Sequence, residues 1–115
     1  MNKMPRFIPE RGDIIWLNFD PSLVHEQSGR RPGIVLSSLK YNQKVGLAIV
    51  CPITSQEKGY PFEIRIPEGF KIRGVILSDQ MRCIDLNERK VDLIFKIPPS
   101  IVEMVQSLAI SVITK

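Results

Sequence analysis

Short apolar runs, cut at close intervals by glycine and proline, constrain this chain more than any other feature. Asp13-Ile-Ile-Trp-Leu-Asn-Phe19 is strand-like and is broken by Asp20-Pro21. A polar loop runs to Arg31, and Pro32 to Ser37 is a second apolar run. A turn-like Tyr41 to Gly46 separates it from the nearly continuous run Leu47 to Ile53. Tyr60 to Ile66 alternates strictly, with Phe62, Ile64 and Ile66 on one side and Glu63 and Arg65 on the other. That period of two belongs to a strand with one buried face. Val75 to Leu77 and Met81 to Ile84 read as two more. Five or six short strands within 115 residues predict a mainly β fold, a small barrel or sandwich. The length suits a single domain over residues 1–115, and a hydrophobic fraction of 43% supplies its core.

At the C-terminus the period changes. Pro98-Pro99 ends a strand-like stretch and can open a helix. Ser100-x-x-Glu103 has the spacing of a capping box, and Ile101, Met104, Val105, Leu108 and Val112 recur at helical intervals. Ala109, Ile110 and Ile113 widen the apolar surface beyond one stripe. The spacing therefore predicts a C-terminal helix that packs on the barrel with one face and offers another to a second subunit, a wide core-facing stripe in a monomer being the other reading.

Composition narrows the function classes. The longest apolar run, Gly46 to Pro52, is far short of the about 20 residues that a membrane-spanning helix takes. The first residues, Met1-Asn2-Lys3-Met4-Pro5-Arg6, lack the apolar stretch of a signal peptide. A structural zinc site needs about four Cys or His ligands, and the chain has only Cys51, Cys83 and His25. Neither a metal nor a cofactor is expected, and both thiols read as free and buried in a reducing cytoplasm. Lys and Arg number 16 against 12 Asp and Glu, a net charge of +4 that is unevenly spread. Gln27 to Gln56 holds Arg30, Arg31, Lys40 and Lys44 and no acid. Such a stretch makes a local positive field that attracts polyanions.

One loop concentrates the chemistry. His25-Glu26-Gln27-Ser28-Gly29-Arg30-Arg31-Pro32 places an acid–base pair and two guanidinium groups between two strands. Arginine grips phosphate at two points, and a carboxylate beside it can accept a proton. A solvated surface salt bridge is the other reading of that spacing.

In order along the chain stand Gly12-Asp13-Ile-Ile-Trp16-Leu-Asn-Phe19-Asp20-Pro21, Glu26-Gln27-Ser-Gly29-Arg-Arg31-Pro32 and Val35-Leu36-Ser37. Tyr41-Asn42, Cys51-Pro52-Ile-Thr54, Lys58-Gly59-Tyr60-Pro61-Phe62-Glu63 and Leu77-Ser78-Asp79-Gln80 follow. Taken together, from Ile8 to Arg89, this line resembles the MazF/PemK/Kid toxins. The resemblance implies an SH3-like small barrel with a C-terminal helix, acting as a homodimer. It implies a toxin of a type II toxin–antitoxin pair: a metal-independent, sequence-specific endoribonuclease that cuts single-stranded RNA in the cytoplasm. Its partner would be an antitoxin with an acidic, disordered segment, and operator DNA would be met only through that antitoxin.

Residue by residue, the resemblance makes Arg31 the catalytic arginine, Glu26 the acid–base partner and Thr54 a contact to the scissile phosphate. Gln27, Arg30, Lys58, Tyr60, Asp79 and Gln80 become candidate RNA contacts. Turn formation is the competing reading for Lys58 to Tyr60 and for Asp79-Gln80. His25 reads as a solvated loop residue, and Trp16 and Phe19 as core or interface. A gyrase poison of the CcdB type shares the implied fold. It is associated with a C-terminal Trp-Gly-Ile, whereas this chain ends Ser111-Val-Ile-Thr-Lys115.

Overall fold

A computed structural model describes residues 7–20 and 29–114. Seven strands form an antiparallel sheet: β1 Asp13–Asn18, β2 Arg30–Val35, β3 Leu47–Thr54, β4 Glu63–Arg65, β5 Val75–Leu77, β6 Arg82–Asp85 and β7 Asp92–Lys96. Two helices, α1 Leu39–Val45 and α2 Pro99–Thr114, complete it. The strand order is β4-β5-β3-β2-β1-β7, with β6 also paired to β3. β3 is the hub. Its first half pairs with β6 (Leu47↔Asp85 to Val50↔Arg82), and its end pairs with β5 (Ile53↔Ile76, Thr54↔Val75). Its other edge carries β2. This is the mainly β architecture with a C-terminal helix that the strand count and the resemblance imply.

Period-two alternation sorts the apolar side chains into two cores, one on each face of β1–β2–β3. Ile14, Ile34, Cys51, Ile53 and Ile76 pack with Val102, Val105 and Ala109 of α2. Ile15, Leu17, Phe19, Val35, Val50 and Ile84 form the other. Each fully buried isoleucine contributes about 1.5–3 kcal/mol of transfer free energy, so the alternation fixes register as well as stability. Gly33 marks the tightest place. A Cβ there would lie 2.9 Å from the Phe19 ring and 3.0 Å from the Cys51 carbonyl oxygen.

Several details depart from the sequence reading. The segment Tyr41 to Gly46, read as a turn, belongs to α1. Ser38 caps it by accepting the Tyr41 N–H, and Gly46 closes it at φ 80°. Asn42 anchors it, fully buried. Its Nδ2 donates to the Pro9 carbonyl at 2.7 Å, and its Oδ1 accepts from Ser37 Oγ at 2.6 Å. The run Tyr60 to Ile66 is strand only over β4. The capping box does not form. α2 begins at Pro99, a position where proline's fixed φ is favourable, so Ser100 already lies inside the helix. The buried stripe of α2 is Val102, Val105 and Ala109, and Met104 and Val112 lie exposed. Cys51 is buried as expected, but Cys83 is exposed. On β6 the inward position next to it belongs to Ile84. No helix among the described residues is long and apolar enough to cross a membrane.

A candidate phosphate-binding cleft

Arg30 and Arg31 are neighbours on β2, and alternation sends them to opposite faces. Arg30 is tied down. Its Nη2 donates to Asp92 Oδ2 at 2.7 Å, and its guanidinium sits over the Trp16 ring, 5.8 Å from the centroid. Arg31 is exposed and has no side-chain partner among the described residues. A guanidinium left free beside a cleft is available to an anion, whereas one engaged in an ion pair is not.

Thr54 comes from the end of β3. β2 and β3 pair as Gly33↔Pro52, Ile34↔Cys51 and Val35↔Val50. The pairing ends there, and Arg31 and Thr54 lie just beyond it on the two strands. The Thr54 hydroxyl accepts the Gln56 N–H at 3.1 Å. With its oxygen so occupied, its proton remains free to be donated.

Arg31 and Thr54 share the wall of a cleft of about 580 Å³. Phe19, Pro52 and Leu77 give it an apolar side, and Lys58 and Arg82 add two further cations. Tyr60 and Gln80 supply neutral polar groups. The Arg82 guanidinium lies over the Phe19 ring at 5.5 Å, which aims it across the cleft. The loop that carries Lys58 is held in place by Glu63. Its two carboxylate oxygens accept the Lys58 N–H at 3.0 Å and the Gly59 N–H at 2.8 Å. An ion pair between Arg65 and Glu57, 2.7 Å, closes the outer side of the same loop. Tyr60 donates its hydroxyl to Asp79 Oδ1 at 2.9 Å. Desolvation and the neighbouring Asp79 carboxylate both push the Tyr60 phenol above its ordinary range, so it stays a neutral donor. Behind it burial, with a smaller contribution from Asp79, pushes the Cys51 thiol up to about 12.

The structure thus brings Arg31, Thr54, Lys58, Tyr60 and Gln80 to one cleft, with Asp79 behind Tyr60. The Gln80 N–H closes a turn on the Leu77 carbonyl, and the Gln80 side chain lines the cleft. Arg30 points instead to Asp92 and Trp16. Glu26, Gln27 and His25 lie outside the described residues. The flanking residues on either side of that segment, Asp20 and Gly29, both line the cleft. Sequence reasoning missed Arg82 and the cleft-lining role of Phe19. The only signal was a cation inside an apolar run, Met81-Arg82-Cys83. Its arrival beside Arg31 depends on β6 pairing with β3, which no spacing reveals.

A small barrel with three cations and a hydroxyl donor at one cleft, whose lining also includes Asp20 and Glu63, has groups that can engage a phosphate-bearing chain. Residues 10–113 match the PemK-like, MazF-like toxins of type II toxin–antitoxin systems, and the chain belongs to that family. It is 47% identical over 79 residues to the endoribonuclease toxin MazF of Escherichia coli K12, covering 69% of this chain and 70% of that protein. It is 33% identical over 110 residues to the endoribonuclease EndoA of Bacillus subtilis, covering 90% and 94%. Among solved structures, MazF from Deinococcus radiodurans superposes with a TM-score of 0.85 at 38% identity, covering 95% of this chain and 99% of that one. A MazE–MazF structure from the same organism gives 0.83 at 35% identity, covering 94% and 97%.

Proposed function

We propose that this protein is the endoribonuclease toxin of a type II toxin–antitoxin pair. In this reading it cuts single-stranded RNA, mRNA foremost, in the cytoplasm without a metal ion. The observation that carries the reading is that Arg31, without a side-chain partner among the described residues, and the Thr54 hydroxyl line one cleft with Lys58 and Arg82.

The chemistry follows from these groups. The nucleophile is the substrate's own 2′-hydroxyl. Glu26 removes its proton, in a segment flanked on both sides by residues at the cleft rim. Arg31 and the Thr54 hydroxyl stabilise the charge that grows on the phosphoryl oxygens. The bond to the 5′-oxygen breaks, and the products are a 2′,3′-cyclic phosphate and a 5′-hydroxyl end. Lys58 and Arg82 hold flanking phosphates, while Tyr60 and Gln80 face the bases and Asp79 holds the Tyr60 hydroxyl. DNA lacks the nucleophile and is bound without being cut.

Two partners belong to the same proposal. The exposed Met104, Ile110 and Ile113 on α2, with Leu93 on β7, supply the apolar face of a homodimer. An antitoxin with an acidic, disordered segment blocks the cationic cleft until release, and operator DNA is reached only through it. Incubating the purified protein with a defined RNA in EDTA and mapping the ends tests the reading. Discrete cuts with cyclic phosphate ends are expected. No cutting, or cutting of the matching DNA, refutes it.

A further inference from the structure

A second cleft, of about 600 Å³, lies on the far side of the wall that Arg31 and Thr54 form. The two clefts share Arg31, Ile53, Thr54 and Gln56. Trp16, Pro32 and Ile72 give the second one an apolar side, and Lys71 and Arg73 bring cations. No carboxylate lines it among the described residues. Trp16 and Pro32 are cross-strand partners on β1 and β2, and Arg30 stacks on the Trp16 ring, so that side is rigid.

The other side is fastened to the reacting centre itself. Ile72 is half-buried against the first core, which leaves Lys71 and Arg73 exposed on either side of it. Neither cation has a partner among the described residues. Gly74 follows directly, and its backbone approaches Thr54 so closely that a Cβ there would lie 2.2 Å from the Thr54 carbonyl oxygen. Arg73 is therefore held one residue away from the wall that carries Thr54.

We propose that this second cleft is a nucleotide subsite for the same RNA strand, with a base on the Trp16–Pro32–Ile72 side and its phosphates on Lys71 and Arg73. The inference rests on the ribonuclease reading above. A strand whose scissile phosphate sits at Arg31 and Thr54 must continue on both sides of it. The first cleft takes one side, and the second shares that wall through Arg31, Ile53, Thr54 and Gln56. Three cations with no facing acid suit a phosphodiester backbone. An apolar wall beside them suits a base face, which every nucleotide presents.

The experiment uses three RNAs with one common cleavage site: a short one, one extended by three nucleotides upstream, and one extended downstream. KM is measured in EDTA for the wild type and for the double variant Lys71→Ala/Arg73→Ala. One extension is expected to lower the wild-type KM through the second cleft. The double variant should lose that advantage about tenfold, the size of one or two lost phosphate or stacking contacts. The salt slope of log KM should fall by about 1.4 for two single-strand phosphates, and the other extension should keep its benefit. Equal losses on both extensions would reveal a diffuse field and overturn the subsite, as would unchanged KM on both. Loss of affinity for an acidic antitoxin peptide with KM intact would assign the cleft to that peptide, and a shift to monomer in sedimentation would assign it to the dimer. Either result overturns the proposal. If the wild type cuts none of the three RNAs, the ribonuclease reading itself fails, and the two failures are thus distinct.

Discussion

Replacing Arg30 and Arg31 by alanine, one at a time, should separate architecture from chemistry on two adjacent residues. Arg30 pairs with Asp92 at 2.7 Å, with side-chain exposures of 21% and 42%. A pair that open to water is worth about 0.5–1 kcal/mol after screening. The contact with the Trp16 ring adds about 0.5–1 kcal/mol. Arg30→Ala should therefore cost about 1–2 kcal/mol, or about 4–8 °C in Tm for a domain of this size. Asp92→Ala should lose part of the same stability, since it breaks the ion pair and leaves the ring contact. Arg31 gives the fold no comparable contact, so Arg31→Ala should melt within about 0.5 kcal/mol of the wild type. It removes instead about 3–4 kcal/mol of transition-state stabilisation, a fall of about 10² to 10³ in cleavage rate. Arg31→Lys should not restore the rate fully, because an ammonium cannot reproduce a planar two-point grip. Thermal melts followed by circular dichroism, alongside initial rates on a fluorogenic RNA, read both quantities on one preparation. A several-degree loss of Tm in Arg31→Ala would refute the reasoning. So would a catalytically dead Arg30→Ala with unchanged Tm.

Thr54→Val keeps the shape and removes the hydroxyl. Its cleavage rate should fall about ten- to a hundredfold, the worth of a hydrogen bond to a charged group, and Thr54→Ser should retain most of it. Gly69 and Gly74 both adopt positive φ, but a Cβ meets nothing within 4 Å at Gly69 and the Thr54 carbonyl oxygen at 2.2 Å at Gly74. Gly69→Ala should cost about 1 kcal/mol by denaturant melt, and Gly74→Ala distinctly more, with loss of activity because the clash falls on Thr54. A thiol whose pKa is raised to about 12 stays protonated at pH 8, so Cys51 should resist thiolate-selective labelling there while the exposed Cys83 reacts. Ellman titration should count one thiol in the native protein and two in guanidinium; two in the native protein would contradict the burial.

What could be read from the sequence was what depends on local period. Val75 to Leu77 has the bounds of β5, and β1 and β3 are each within a residue of the apolar runs that announced them. α1 was not legible from periodicity, because Lys40, Tyr41, Gln43 and Lys44 give it no apolar face. Its signals were Ser38 and Gly46, and its anchor is a buried polar side chain, Asn42. The capping-box spacing misled because Pro99 had already taken the first helical position. At the site, alternation says that Arg30 and Arg31 face opposite ways but not which of them meets the cleft. Asp92 decides that for Arg30 from far along the chain, and Arg82 joins the cleft through a strand pairing equally remote in sequence.

Gly33 settles the same question from the inside. A Cβ there would crowd both the Phe19 ring and the Cys51 carbonyl, so a residue without a side chain fits best. Sliding β2 by one position would put Pro32 or Ile34 there, and the same slip would exchange the two arginines. The tight spot therefore works as a reading frame. It sets which guanidinium faces the cleft by disfavouring a one-residue slip of β2. A substitution at Gly33 would thus be felt at the cleft, because it loosens the frame that keeps Arg31, and not Arg30, on the cleft wall.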